Sequence, residues 1–110
     1  MAKKTPPPLE RGGGFRRQRE QIDRIDQQIV TLLNRRAAVV QTIGEIKKAR
    51  RLEVVDPVRE AQVIKRVQAA NPGPFPNESL RSIFQEIFAA SHQIEEPLTV
   101  AYFGPPATFT

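Results

Sequence analysis

The stretch that decides the fold is Arg19–Lys47, REQIDRIDQQIVTLLNRRAAVVQTIGEIK. Its apolar residues Ile22, Ile25, Ile29, Leu32, Val39, Ile43 and Ile46 step by threes and fours, with one interruption at position 36. Each helical residue turns the chain by about 100°, so this spacing collects them on one face. From Phe15 to Arg50 there is no proline, and Gly44 is the one glycine, so nothing in the stretch stops a helix. The spacing predicts a single long helix over about 15–50, carrying a heptad-like apolar stripe.

Outward from it, Asp56-Pro57 reads as a helix start. Aspartate accepts from the free N–H groups of the first turn, and proline fits the first helical position. A second helix is expected from Pro57 to about Ala70, with Val58, Ala61, Ile64 and Val67 facing inward. NPGPFP (71–76) reads as a loop. Asn77 is expected to cap a third helix reaching about Glu95, with a stripe of Leu80, Ile83, Phe84, Ile87, Phe88, Ser91 and Ile94, and Pro97 ends it. Residues 1–14, rich in Pro, Gly and charge, read as a disordered tail. LTVAYFG (98–104) reads as a β-strand running into a Gly-Pro turn, with no partner strand. The expected organisation is a tail (1–14), an all-α domain of three helices (15–96), and a linker with the first strand of a further, missing domain (97–110).

A helix of about 35 residues is roughly 52 Å long. A compact domain of about 100 residues has a radius of gyration near 13 Å. The long helix overshoots any globule its own chain can build, and two shorter helices shield about half of its stripe. A second copy packed on the first covers the rest, so an intertwined homodimer is expected.

With 110 residues the chain is one domain in size. It has no cysteine and one histidine, His92, which argues against disulfides, thiolate metal sites and a histidine metal centre. Apolar runs are too short for a membrane span, and no apolar core follows the N-terminal lysines, so a cytoplasmic protein is expected. The net charge of +5 favours anionic partners, either nucleic acid or a small poly-anionic metabolite. Part of the excess sits near the N-terminus, in Lys3, Lys4, Arg11, Arg16, Arg17 and Arg19.

The informative positions are polar residues set into the stripes. Arg36 takes a slot flanked by Leu32, Val39 and Ile43, so its guanidinium must be paired, bind an anion, or snorkel to water. Lys47 lies 11 residues on, about 20° around the helix and ~16 Å along it. Two such cations can grip the ends of a small dianion, the alternative being a solvated lysine beside Lys48. Arg19 precedes Arg36 by 17 residues, ~25 Å along the same rod. It can join such a site only from a partner subunit; otherwise it belongs to the basic tail. Asp56 is explained as an N-cap. Arg59 is not, because a cation near a helix N-terminus opposes the helix dipole; it can pair with Glu60 or a neighbouring helix. Ser91 and Glu95 lie one turn apart on the inner side of the third helix. Burial beside a ligand would favour the protonated form of Glu95, and a frayed helix end beside Glu96 is the bland alternative.

On the stretches 19–47, VVDPVRE (54–60) and SIFQEIFAASHQIEE (82–96), the chain resembles the all-helical chorismate mutase domain of bifunctional chorismate mutase–prephenate dehydratases. The resemblance covers about residues 15–96. It implies long first helices crossing in a dimer, with each active site drawing on both chains. By position, Arg36, Lys47 and Arg59 would bind the substrate's carboxylates and nearby oxygens, and Arg19 would enter from the other subunit. Asp56 and Glu60 would hold the substrate hydroxyl, Ser91 would touch a carboxylate or hydroxyl, and Glu95 would face the ether oxygen. VAYFGPPATFT (100–110) resembles the opening of a prephenate dehydratase domain, although Gly104-Pro105-Pro106-Ala107 departs from the usual Gly-Pro-Glu-Gly.

The implied reaction, chorismate to prephenate in phenylalanine and tyrosine biosynthesis, is a unimolecular isomerisation that needs no cofactor and no metal. Lys47, Arg36 and protonated Glu95 would be the catalytic groups. They would hold the folded conformer and stabilise charge on the ether oxygen. Three rivals remain at this level: a similar isochorismate-pyruvate lyase, a basic helical dimer on nucleic acid, and a non-catalytic dimerisation module.

Overall fold

A computed structural model of the chain describes residues 8–96. It is all-helical, in the order α1 (Pro8–Arg50), α2 (Pro57–Ala70) and α3 (Asn77–Glu95). The expected strand at 98–104 and residues 1–7 of the expected tail lie outside the described residues, while residues 8–14, expected to be disordered, are helical. Among the described residues no helix is long and apolar enough to cross a membrane.

α1 has 43 residues and begins at Pro8, not at Phe15. Proline suits a helix's first turn, where its missing N–H has no partner to lose. The three glycines that follow weaken a helix without forbidding one. At the other end, the N–H of Leu52 donates to the Lys47 carbonyl at 2.8 Å and that of Arg51 to Lys48 at 3.2 Å. Arg51 has φ +58°, a left-handed position usually given to glycine. This paired closure turns the chain back sharply beneath the last turn of α1.

The chain divides into two compact units, Met1–Arg36 and Ala37–Thr110. In the first, the described part is helix alone, and Phe15, Ile22, Ile25, Ile29, Val30, Leu32 and Leu33 are all exposed. In the second, the end of α1 joins α2 and α3, and α2 packs on α3.

α2 starts as expected: Asp56 caps it, accepting from the Arg59 N–H at 3.1 Å, with Pro57 in the first turn. Its inner face differs from the expected one. Ile64 is buried and Val67 half-buried, but Val58 and Ala61 face out, and Glu60 and Val63 are half-buried instead. The face is rotated because α3 approaches α2 on the side of Glu60. α3 is capped by Pro76 with no side-chain bond, so Asn77 is its first residue and not its cap. Asn77 instead ties the loop down, accepting on Oδ1 from Asn71 at 2.8 Å and on its carbonyl from Gln68 at 2.9 Å.

The core of the second unit is small: Val40, Ile64 and Phe88, with Phe84 tilted against Phe88 at 6.1 Å between ring centres. Val40, not the expected Val39, is the buried valine of α1, and Val39 is 60% exposed. The inner face of α1 in this unit therefore runs Val40–Gly44–Lys47, one helical row beside the apolar stripe. The stripe residues Val39, Ile43 and Ile46 stay exposed.

Candidate active site

The site is built where that row meets the C-terminal end of α3. Gly44 allows the approach. A Cβ placed on it would lie 2.8 Å from the Glu95 Cα and 2.9 Å from the Glu95 carbonyl oxygen. Those are backbone atoms, which cannot swing aside. Glycine at 44 thus lets α1 pass against the α3 backbone at Glu95, close enough for one turn of α1 to reach across.

Lys47, less than a turn beyond Gly44, makes that reach. Its Nζ donates to Glu95 Oε1 at 3.1 Å and to the Val54 carbonyl at 2.8 Å. The second bond depends on the turn-back at Arg51, which brings residue 54 under the ammonium. The Lys47 side chain is 20% exposed and that of Glu95 only 9%. Lys47 is therefore no solvated surface lysine, and Glu95 is no frayed end. An ammonium held beside a carboxylate and largely screened from water can present a hydrogen bond to an oxygen of a ligand. In low-dielectric surroundings such donors act more strongly than in water.

Other expected residues gather on the same unit. Ser91, one turn before Glu95, is buried and its hydroxyl donates to the Ile87 carbonyl at 2.7 Å. A ligand carboxylate would have to draw that hydrogen away. Glu60 is half-buried, with Oε2 2.5 Å from His92 Nε2. Asp56 and Arg59 are exposed in the first turn of α2, and the Asp56 carboxylate is occupied by the cap. Of the two options for Arg59, Glu60 or a neighbouring helix, Glu60 is engaged by His92 instead, and successive helical residues point apart.

Arg19 and Arg36 belong to the first unit. Arg36 is half-buried; the Arg19 guanidinium lies over the Phe15 ring, 4.1 Å from its centre, a cation–π contact one turn long.

Sequence reading missed two residues here. Gly44 carried a signal, being the single glycine in a long helical pattern, where it costs about 1 kcal/mol against alanine and asks for a packing reason. His92 carried none, since the approach of α2 to α3 at Glu60 is not encoded in either helix alone.

Residues 18–96 match the family model for chorismate mutase type II. The chain belongs to the chorismate mutase type II family. All eight candidate residues, from Arg19 to Glu95, fall inside the matched stretch. Bifunctional chorismate mutase/prephenate dehydratases from Neisseria gonorrhoeae and Aquifex aeolicus are similar to this chain, at 45% and 43% identity over 92 and 96 residues. Each match covers 84% of the chain but about a quarter of the relative, 25% and 26%. The solved structure of chorismate mutase (form II) from Thermus thermophilus is also similar, with a TM-score of 0.74 and 39% identity. There the match covers 76% of this chain and 96% of the other. Its coverage places the three-helix arrangement in the chorismate mutase fold.

Proposed function

We propose that this chain converts chorismate to prephenate, in aromatic amino acid biosynthesis, at a site that two copies of the chain build together. The observation that carries the reading is the Lys47–Glu95 pair, screened from water inside the family match. The rearrangement makes one C–C bond and breaks one C–O bond within a single molecule, so it requires no nucleophile. What it requires is a folded conformer and donors aimed at the ether oxygen.

Lys47 donates to that oxygen from one side, and Glu95, hydrogen-bonded to the same ammonium, faces it from the other. Arg36 and Arg59 hold the substrate's carboxylates. Glu60 takes the substrate hydroxyl, with Asp56 beside it, and Ser91 contacts a carboxylate or hydroxyl. Arg19 arrives from the second copy. The support for a second copy is the apolar stripe: Ile22, Ile25, Ile29 and Leu32 in the first unit, and Val39, Ile43 and Ile46 in the second, remain exposed after the chain has folded. Burying one such side chain is worth about 1.5–3 kcal/mol, and a partner helix carrying the same stripe fits it by symmetry. We place the activity in the cytoplasm. We also propose that residues 97–110 open a prephenate dehydratase domain, as in the bifunctional relatives; a dehydratase reading frame beyond the codon for Thr110 tests that.

The direct test is the loss of chorismate absorbance with purified protein, alongside an assay for pyruvate from isochorismate. Prephenate formation without pyruvate release is expected. A folded dimer that consumes no chorismate contradicts the reading.

A further inference from the structure

The exposed stripe is already used by the proposed dimer, and the Lys47–Glu95 pair by the proposed chemistry. The His92–Glu60 contact is used by neither. His92 sits on α3 between buried Ser91 and half-buried Ile94, and three residues before Glu95. Its Nε2 lies 2.5 Å from Glu60 Oε2, with the two side chains 31% and 26% exposed. Its carbonyl accepts from the Glu96 N–H at 3.0 Å and so closes the end of α3.

Glu60 stands in the first turn of α2, its N–H donating to the Asp56 carbonyl at 3.0 Å. Its backbone is fixed, but a glutamate side chain has three rotatable bonds, and holding one rotamer costs up to about 2 kcal/mol. We propose that His92 is a positioning residue. Its ring holds Glu60 Oε2, so that Oε1 faces the substrate hydroxyl in one orientation. A carboxylate has acceptor capacity on both oxygens, so one can be gripped while the other receives. α3 then sets both carboxyl groups of the site, Glu95 directly and Glu60 through His92. This inference rests on the proposed role of Glu60.

The test is steady-state kinetics on the dimeric wild type and on His92→Leu, His92→Gln, Glu60→Gln and the His92→Leu/Glu60→Gln double variant, each with a thermal melt. A hydrogen bond to a charged group sets the expected scale, a loss of about 10-fold or more in kcat/KM for His92→Leu. His92→Gln, whose amide N–H reaches the place of Nε2, restores activity to within about threefold. In the Glu60→Gln background the His92→Leu change costs little more, because the carboxylate it served is gone. An equal loss in both backgrounds, or no loss in His92→Leu while Glu60→Gln is impaired, overturns the inference and leaves the Glu60 role standing. An unimpaired Glu60→Gln overturns both. Should His92→Leu fail to fold, His92→Ala and the His92→Ala/Glu60→Gln double variant take its place in the same comparison.

Discussion

The two units of this chain solve the same problem in different ways. The second, Ala37–Thr110, has three helical segments at its disposal and hides Val40, Ile64 and Phe88 within itself. It also ties Lys47 to Glu95 and His92 to Glu60. The described part of the first is helix alone, and its isoleucines and leucines stay about half exposed. The second unit holds its Lys47–Glu95 and His92–Glu60 contacts within itself, and the apolar stripe that runs through both units stays open to a further surface. In the proposed dimer the uncovered stripe meets its own copy, and Arg19, carried on the same unit, enters the partner's site.

Breaking the first unit should have the largest effect. Ile25→Glu with Ile29→Glu puts two carboxylates in the stripe, and a buried unpaired charge costs several kcal/mol. A monomer by sedimentation, with activity down by about 10³ or more, is expected. A dimer with normal turnover would show that the stripe is not the interface.

Within the second unit, Lys47→Ala removes the proposed donor to the ether oxygen and should lower kcat by about 10² to 10³ with little change in oligomeric state. Gly44→Ala is smaller and has a diagnostic sign. Alanine in an ordinary helix position stabilises by about 1 kcal/mol against glycine. Here its Cβ meets the Glu95 backbone at 2.8 Å, so the melt should drop, by about 1–3 kcal/mol of stability, and kcat should fall. A more stable, fully active Gly44→Ala would mean that α1 and α3 need not approach so closely.

The smallest effect is expected at Glu95. Glu95→Gln keeps the size of the side chain and exchanges the carboxyl partner of Lys47 for an amide, whose N–H can donate to a substrate oxygen. Activity at or above the wild-type level is expected in the chorismate assay. A loss as large as that of Lys47→Ala would show that the carboxylate itself is required.

Much of this contrast is legible in the sequence. Period and punctuation place all three helices, and the cap at Asp56 is legible because Asp-Pro has a mechanism as well as a pattern. The start of α1 is not, since proline and glycine lower helix preference without deciding it. Nor is the row facing the second unit's core: Val39 and Val40 are equally apolar, and only the close pass at Gly44 selects the second. For the site, Lys47 and Glu95 are nameable, while their mutual contact, and that of His92 with Glu60, depends on how α1, α2 and α3 meet. Those meetings are set by tertiary packing that no single helix encodes.

The most direct test of a site shared between two copies is subunit mixing. Arg19→Ala and Arg36→Ala should each be inactive as pure dimers. After equal mixing and exchange, half the dimers are mixed, and each of these has one site with both arginines and one with neither. About a quarter of wild-type activity should return. No recovery, with exchange verified, would contradict a site assembled from both chains.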